Sequence, residues 1–421
     1  MPKVIYVSRL FSGLEKSIID ERWLPTGVPT IFRMIERLRL LNQDFKLLLT
    51  VKDGYSHYNC PIDRCIHLQD FSHPIRILSG IKPAHTYLRK VAKYLREVRH
   101  LFQIWREIKN FHPDIVYIDH GNAWAAGILS RLTKVPFVFR IMGVYPAMRQ
   151  VIDNPGWSPA KMLLRWCYRA PYAAVICTQD GSGIERWLDK ALAKQVPVYK
   201  MINGLPVKPS KSDQAISKNA KTRSLLNVTF VGKLEHAKGV AQFVEAMCRI
   251  NDKFPGHFFA RIIGFGSLRD ELIQKIADCG HADWFQFDER MSNSEVLQVL
   301  QSSDIYVSLN RYGNLSNANL EAIATGCCMI LPRSQPDTGI DVVTDEILPS
   351  GATYKIESVD DIDGLVRAIS HLGQNAAIRD QMRSKVRLVA ESLESWDNRI
   401  DREMSILLAL SATKQVSNEN H

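Results

Sequence analysis

Residues 303–332, SDIYVSLNRYGNLSNANLEAIATGCCMILP, decide the fold. Ile305, Tyr306 and Val307 read as a buried strand, and a polar loop rich in Gly and Asn follows. A short helix opens near 316–319, carries Glu321 and ends at Ala324-Thr325-Gly326, before a second apolar strand. In open α/β sheets, a strand feeding a helix N-terminus is a place where phosphate-bearing ligands bind. Free backbone N–H groups and the positive end of the helix dipole face the crevice there. A carboxylate one turn into such a helix does nothing for a phosphate, but it can accept two hydrogen bonds from a vicinal diol such as ribose. The stretch therefore reads as a cradle for a nucleotide sugar.

Around it the chain alternates strand and helix twice. In the first half, strands are expected at 3–9, 45–51, 115–118, 137–141, 174–178 and 198–202, with helices at 27–41, 87–110 and 123–132 among those between. In the second, strands are expected at 228–231, 258–263, 284–287, 305–309 and 328–331. Such alternation implies parallel sheets covered on both faces. The polar run 206–225 lacks apolar periodicity and reads as an interdomain linker.

Composition agrees with an enzyme of two domains. The 421 residues are 46% apolar and 23% charged, which is ordinary globular material. There is no run of eighteen apolar residues to span a membrane, and the N-terminus enters a strand at once without signal-peptide architecture. The eight cysteines show no paired ligand spacing. Cys60 and Cys65 could pair or bind metal, but free thiols in a reducing cytosol are the reading preferred, and no metal is expected. Charge is uneven: residues 1–204 hold 30 Lys and Arg against 16 Asp and Glu. A cationic half suits an anionic partner, whether nucleic acid, a membrane face or a diphosphate-linked molecule. Nucleic acid is the weakest of these, since no aromatic–basic binding module is present.

The 303–332 segment resembles the donor-binding loop of retaining, family-4 type glycosyltransferases, in which a Glu, seven residues, a second Glu, an Ala and a small-Gly turn follow one another. Glu321-Ala322 and Gly326 match the second half; the first Glu would stand at 313, where this chain has Gly313. The resemblance runs over nearly the whole chain and is sharper after residue 225. It implies a GT-B fold, two Rossmann-like domains facing a deep interdomain cleft. The N-terminal acceptor domain would be 1–205, the nucleotide-sugar domain 226–394, a helix 395–411 would cross back to the N-terminal domain, and 412–421 would be a polar tail. It further implies that Lys233 and Lys238, five apart across the turn Gly232–Gly239, hold the donor diphosphate. Asn314, Ser316 and Asn317 would stand in for the missing carboxylate, and Glu321 would grip the ribose.

Other motifs admit two readings each. Gly264-Phe265-Gly266 either touches the nucleotide or is a tight strand-to-helix turn. In 284–290, WFQFDER, the aromatics either stack on the base or pack in the core, and the loop as a whole lines the base pocket in the resembling family. Gly27, in PTGVP, either lets backbone approach a phosphate or marks a helix start. Family members often carry a histidine after the 137–141 strand; Met142 stands there, leaving His120 and Arg140 as the nearest candidates for catalytic contacts. Asp361-Ile362-Asp363 has metal-binding DxD spacing but reads as a helix start. The helix 87–110 carries Leu88, Val91, Leu95, Val98, Phe102 and Trp105 on one stripe. It either docks that stripe on the N-terminal sheet, basic face outward, or lies on a membrane surface.

The function expected is transfer of a sugar from a nucleotide sugar to a glycan or lipid-linked acceptor, with retention, plausible in surface-polysaccharide assembly. No cofactor is expected, and the location expected is cytoplasmic or peripheral at the inner membrane face. The alternatives are a non-catalytic partner subunit that has lost its first glutamate and a nucleotide-sugar epimerase.

Overall fold

The computed structural model describes residues 2–41, 44–51, 63–81, 85, 88–206, 225–289 and 291–419, with side chains through 412. The core of the linker stretch and Cys60 lie outside them. The remaining seven cysteines are free thiols.

The chain forms two compact units. The first comprises Met1–Thr178, Trp187–Met201 and Asp397–His421. Its sheet contains β1 (Val4–Arg9), β2 (Phe45–Thr50), β3 (Arg64–Leu68), β4 (Phe71–Leu78), β5 (Ile115–Asp119), β6 (Phe137–Ile141), β7 (Ala174–Thr178) and β8 (Val198–Met201). The order is β3-β4-β2-β1-β5-β6-β7-β8, parallel except for the antiparallel β3–β4 edge. The central strands are mainly apolar and buried throughout, as strands covered on both faces must be.

The second unit, Gln179–Arg186 and Ile202–Trp396, holds a six-stranded parallel sheet. Its strands are β9 (Leu226–Val231), β10 (Phe258–Ile263), β11 (Phe285–Asp288), β12 (Ile305–Val307), β13 (Met329–Pro332) and β14 (Thr353–Ile356), in the order β11-β10-β9-β12-β13-β14. The chain steps from β9 outward to β10 and β11, then returns to β12 on the other side. The carboxyl ends of β9 and β12 therefore flank a topological switch point, where doubly wound sheets bind ligands.

Two expectations are corrected here. The C-terminal helix, expected over 395–411, runs further, as Trp396–Glu419. The helix Arg89–Phe111 docks in the opposite phase to the one expected. Its buried face is Ala92, Arg96, His100, Gln103, Ile104, Glu107 and Ile108, while Leu95 and Phe102 of the apolar stripe are 53% and 61% exposed. The reason is an ionic seam. Glu97 pairs with Arg9, Glu107 with Lys46 and Arg76, and Asp63 takes hydrogen bonds from Gln103 and Arg106. Buried charges this well partnered set the helix orientation against its hydrophobic pattern. By contrast, Asp361 caps the helix Ile362–Gln374 by accepting from the Gly364 amide, so the DxD spacing is a helix start.

Candidate donor site in the C-terminal unit

After β9 the chain turns through Gly232, Lys233 and a 3-10 turn, His236–Lys238, to the helix Val240–Lys253. Gly239, between them, has φ +68°, and a Cβ there would come within 2.5 Å of the Leu309 Cβ. Glycine is what lets this turn lie against the end of β12. The turn after β10 is equally close to the β9 turn: Leu234 donates to the Phe265 carbonyl and Gly232 to that of Ile263. A Cβ on Gly264 would meet the Gly232 carbonyl at 1.8 Å, and one on Gly266 the Leu234 carbonyl at 2.4 Å. This close approach of two backbones accounts for both glycines without a ligand.

Lys233 is exposed and Lys238 half-buried. Burial pushes the Lys238 ammonium below its ordinary pKa; the negative charge of Asp180 opposes this and the positive charge of Lys233 adds to it. The two lysines thus sense one another across the turn, with a carboxylate close by.

The loop from β12 to the helix Asn317–Ala324 is built around Asn314, which is fully buried. Its amide oxygen accepts from Ser308 Oγ and the Asn310 amide. Its Nδ2 donates to the Asn310 carbonyl and Asp341 Oδ2, and its backbone N–H to Asp341 Oδ1. With every polar group consumed, Asn314 is a loop staple rather than a ligand contact, which corrects the expectation from sequence. Gly313 is also buried. Its φ is +123°, and a Cβ would lie 2.5 Å from the backbone of Gly181 and Ser182. The segment 180–182 fills the space into which a side chain at 313 would project, and Leu315 donates to the Asp180 carbonyl. Gly313 is therefore corrected from a ligand-facing position to a packing one.

Ser316 and Asn317 remain half-exposed at the helix N-terminus, with Ser316 Oγ donating to Asn319 Oδ1 and Asn317 Oδ1 accepting from Asn203. One turn in, Glu321 Oε1 accepts from Asn293 Nδ2 at 2.6 Å, leaving Oε2 with no hydrogen-bond donor among the described residues. Burial raises the Glu321 carboxyl to about 7, against the opposing hydrogen bond from Asn293. A desolvated carboxylate with one oxygen open is suited to accept from a ligand hydroxyl.

Asp180 was not anticipated from sequence. It sits after β7, in a segment that the chain contributes to the second unit, so no local motif marks it. Its Oδ1 accepts from the Ser182 amide and hydroxyl, and burial raises its pKa.

The candidates in the N-terminal unit fare differently. Arg140 is 1% exposed; it ion-pairs with Glu403 at 3.3 Å and donates to Thr178 Oγ1 and the carbonyls of Ile141 and Ile176. Arg399 closes on the same carboxylate. Arg140 therefore anchors the C-terminal helix and is corrected from catalytic to structural. His120 stacks on Tyr168 and its Nε2 lies 2.7 Å from the Tyr168 hydroxyl. Burial, then the charge of Arg9, lowers it to about 4, so it is neutral at physiological pH. Gly27 has φ +91° with open space where a Cβ would stand, the geometry of the turn before the helix Pro29–Leu41.

A doubly wound parallel sheet with lysines and an open carboxylate on the loops at its switch point defines an α/β class of protein. Comparison with known proteins narrows this. Residues 211–388 match the family model Glycosyl transferases group 1. A 2-deoxystreptamine glucosyltransferase from Streptomyces kanamyceticus is 25% identical over 228 residues, covering 50% of this chain and 57% of that protein. The whole chain superimposes on sucrose-phosphate synthase from Thermosynechococcus elongatus with TM-score 0.69 at 13% identity, covering 98% of this chain and 100% of the other. It superimposes on Anabaena HepE, in a complex with UDP and glucose, with TM-score 0.64 at 14% identity, covering 97% and 100%. An α,α-trehalose-phosphate synthase (UDP-forming) from Burkholderia vietnamiensis gives 0.65 at 13% identity, covering 97% of each chain. The fold is GT-B: two Rossmann-like α/β units.

Proposed function

We propose that this protein is a glycosyltransferase that takes a sugar from a nucleoside-diphosphate donor bound at the β9/β12 switch point. The observation that carries the reading is that the loops after β9 and β12 meet, the Arg311 amide donating to the Ala237 carbonyl, and that these two connections bear Lys233, Lys238, the N-terminus of the helix Asn317–Ala324 and the open Oε2 of Glu321. In the proposed mechanism the two lysines and the helix N-terminus neutralise charge growing on the leaving diphosphate. Glu321 accepts from the ribose diol. Asp180 supplies a carboxylate where Gly313 lacks one, its negative charge favouring the ionised form of Lys238 against the effect of burial.

Retention of anomeric configuration, by front-face attack with the departing phosphate assisting acceptor deprotonation, belongs to the same proposal and rests on the likeness of the donor loop to retaining enzymes. So do a glycan or lipid-linked acceptor, a role in surface-polysaccharide assembly and a cytoplasmic location, which the cationic N-terminal half supports. The test is release of nucleoside diphosphate from a panel of nucleotide sugars without added metal. Turnover that is lost in Lys238→Ala supports the reading.

A second reading, a non-catalytic partner subunit, is favoured by one observation: position 313 carries no carboxylate and has no room for one. It predicts that Asp180→Asn leaves nucleotide binding unchanged and that no donor is ever turned over by the purified chain.

A further inference from the structure

Within the N-terminal unit, the helix Ala123–Leu132 packs against both Arg89–Phe111 and Pro159–Tyr168. Tyr94 stacks on Trp124, and the Arg131 guanidinium lies 3.7 Å from the Trp166 ring centroid while donating to the carbonyls of Trp166 and Arg169. The outer surface of this three-helix layer is apolar where a soluble protein should be polar. Val91, Leu95, Val98, Phe102 and Trp105 are exposed along the first helix, and Leu132 ends the second at 70% exposure. Met162 and Trp166 stand out from the third, preceded by Trp157 at 97%. A groove of about 690 Å³ runs between the first two helices under Phe102, Trp105 and Leu132. A second, of about 470 Å³, lies beside Trp157 and Trp166. Monomeric proteins rarely leave so large an apolar patch without an occupant.

We infer that this layer is a docking face for an anionic lipid bilayer. Charge selects the occupant. Lys90, Lys93, Lys109 and Lys134 are exposed around the patch, and Lys161 and Arg165 are partly so. The only acids in 89–111, 123–135 and 155–170 are Glu97 and Glu107, whose side chains are 14% and 4% exposed and already paired with cations. Tryptophan and leucine ringed by lysine is the composition of a surface that sinks its apolar groups to headgroup depth while its ammonium groups meet lipid phosphates. Lys109 follows this pattern at close range, its Nζ 5.4 Å from the Trp105 ring centroid. A second copy of this chain would bring the same positive face against itself, and protein interfaces are depleted of lysine. No helix among the described residues is long and apolar enough to cross a membrane, so the contact is peripheral. The face stands whether or not the transferase reading does.

The experiment is vesicle flotation of the full chain, with phosphatidylcholine alone and with about 30 mol% phosphatidylglycerol added. The wild-type chain floats with the anionic vesicles, less so as salt rises. The triple variant Leu95→Ser, Phe102→Ser, Trp105→Ser loses roughly tenfold or more in partition, as does Lys90→Glu with Lys93→Glu and Lys134→Glu. All six positions are exposed, so both variants keep the wild-type circular dichroism and melting temperature. Absence of wild-type flotation with anionic vesicles at low salt overturns the inference, and so does undiminished flotation of the apolar triple variant. A wild-type dimer in sedimentation equilibrium that the triple variant dissolves assigns the face to a second copy instead.

Discussion

The two units place a switch point at the same spot in similar sheets and equip it in opposite ways. In the first, between β1 and β5, the polar groups satisfy one another. Asp119 accepts from Ser8, the Arg9 amide and Asn122; Arg9 is held by Glu97 and the Gly121 carbonyl; His120 is tied to Tyr168; and Arg140 is buried against Glu403. In the second, between β9 and β12, the groups are left open: Lys233 in solvent, Lys238 desolvated near it, and Glu321 with a free oxygen. The same topology thus gives a locked end and a receptive one. Chemistry belongs where buried polar groups remain unmatched, because a ligand can supply the partner that the protein withholds.

Four substitutions break or sharpen that contrast, in decreasing order of expected effect. Glu403→Ala strips the carboxylate from two buried guanidiniums and should cost about 3–5 kcal/mol of stability, read from the midpoint of denaturant unfolding. A locked first switch point requires that loss. Lys238→Ala should lower kcat for donor turnover by roughly 10²–10³-fold while leaving the unfolding midpoint within about 0.5 kcal/mol of wild type. If stability falls instead and turnover persists, the lysine is structural and the second switch point is locked as well.

Glu321→Gln should weaken nucleoside-diphosphate binding by about 1–3 kcal/mol. Its pH dependence is sharper still. Ribose hydroxyls favour the ionised carboxylate, so binding releases a proton whenever the free side chain, at about 7, is still protonated. Wild-type affinity should therefore rise as pH increases through 7, and the Gln variant should lose that rise, by titration calorimetry across pH 5.5–8.5. Smallest of all, His120→Gln should change turnover by less than about tenfold and leave its pH profile in place, unlike removal of a general base. A drop of two orders of magnitude would make the first switch point catalytic.

The sequence made the central strands legible because each is buried on both faces and needs only apolar side chains. Three strands at or next to a sheet edge escaped reading: Arg64–Leu68 is mostly exposed, Phe71–Leu78 carries Pro74 and polar residues, and Thr353–Ile356 has four residues. The helix Arg89–Phe111 shows the limit of periodicity. A 3.6-residue pattern reveals that a helix has two faces, and here an ionic seam spread over Arg9, Lys46, Asp63 and Arg76 decides which face turns inward. The site was legible where it is local, as in Gly232–Gly239 and the helix of Glu321. It was not legible where distant segments meet. Asn314 reads from sequence as a stand-in for the missing carboxylate, but Asp341, distant in sequence, takes its Nδ2 and backbone N–H, and Asp180 arrives from a crossing segment more than 130 residues before Gly313.

The account stands on the second switch point being a diphosphate site, and differential scanning fluorimetry with UDP, GDP and ADP, without metal, addresses it directly. At a hundred times its dissociation constant a bound nucleotide adds about 2.7 kcal/mol. The account predicts that one of the three raises the wild-type melting temperature and fails to raise that of the Lys233→Ala, Lys238→Ala double variant. An equal shift in the double variant, or none in the wild-type chain with any of the three, would contradict it.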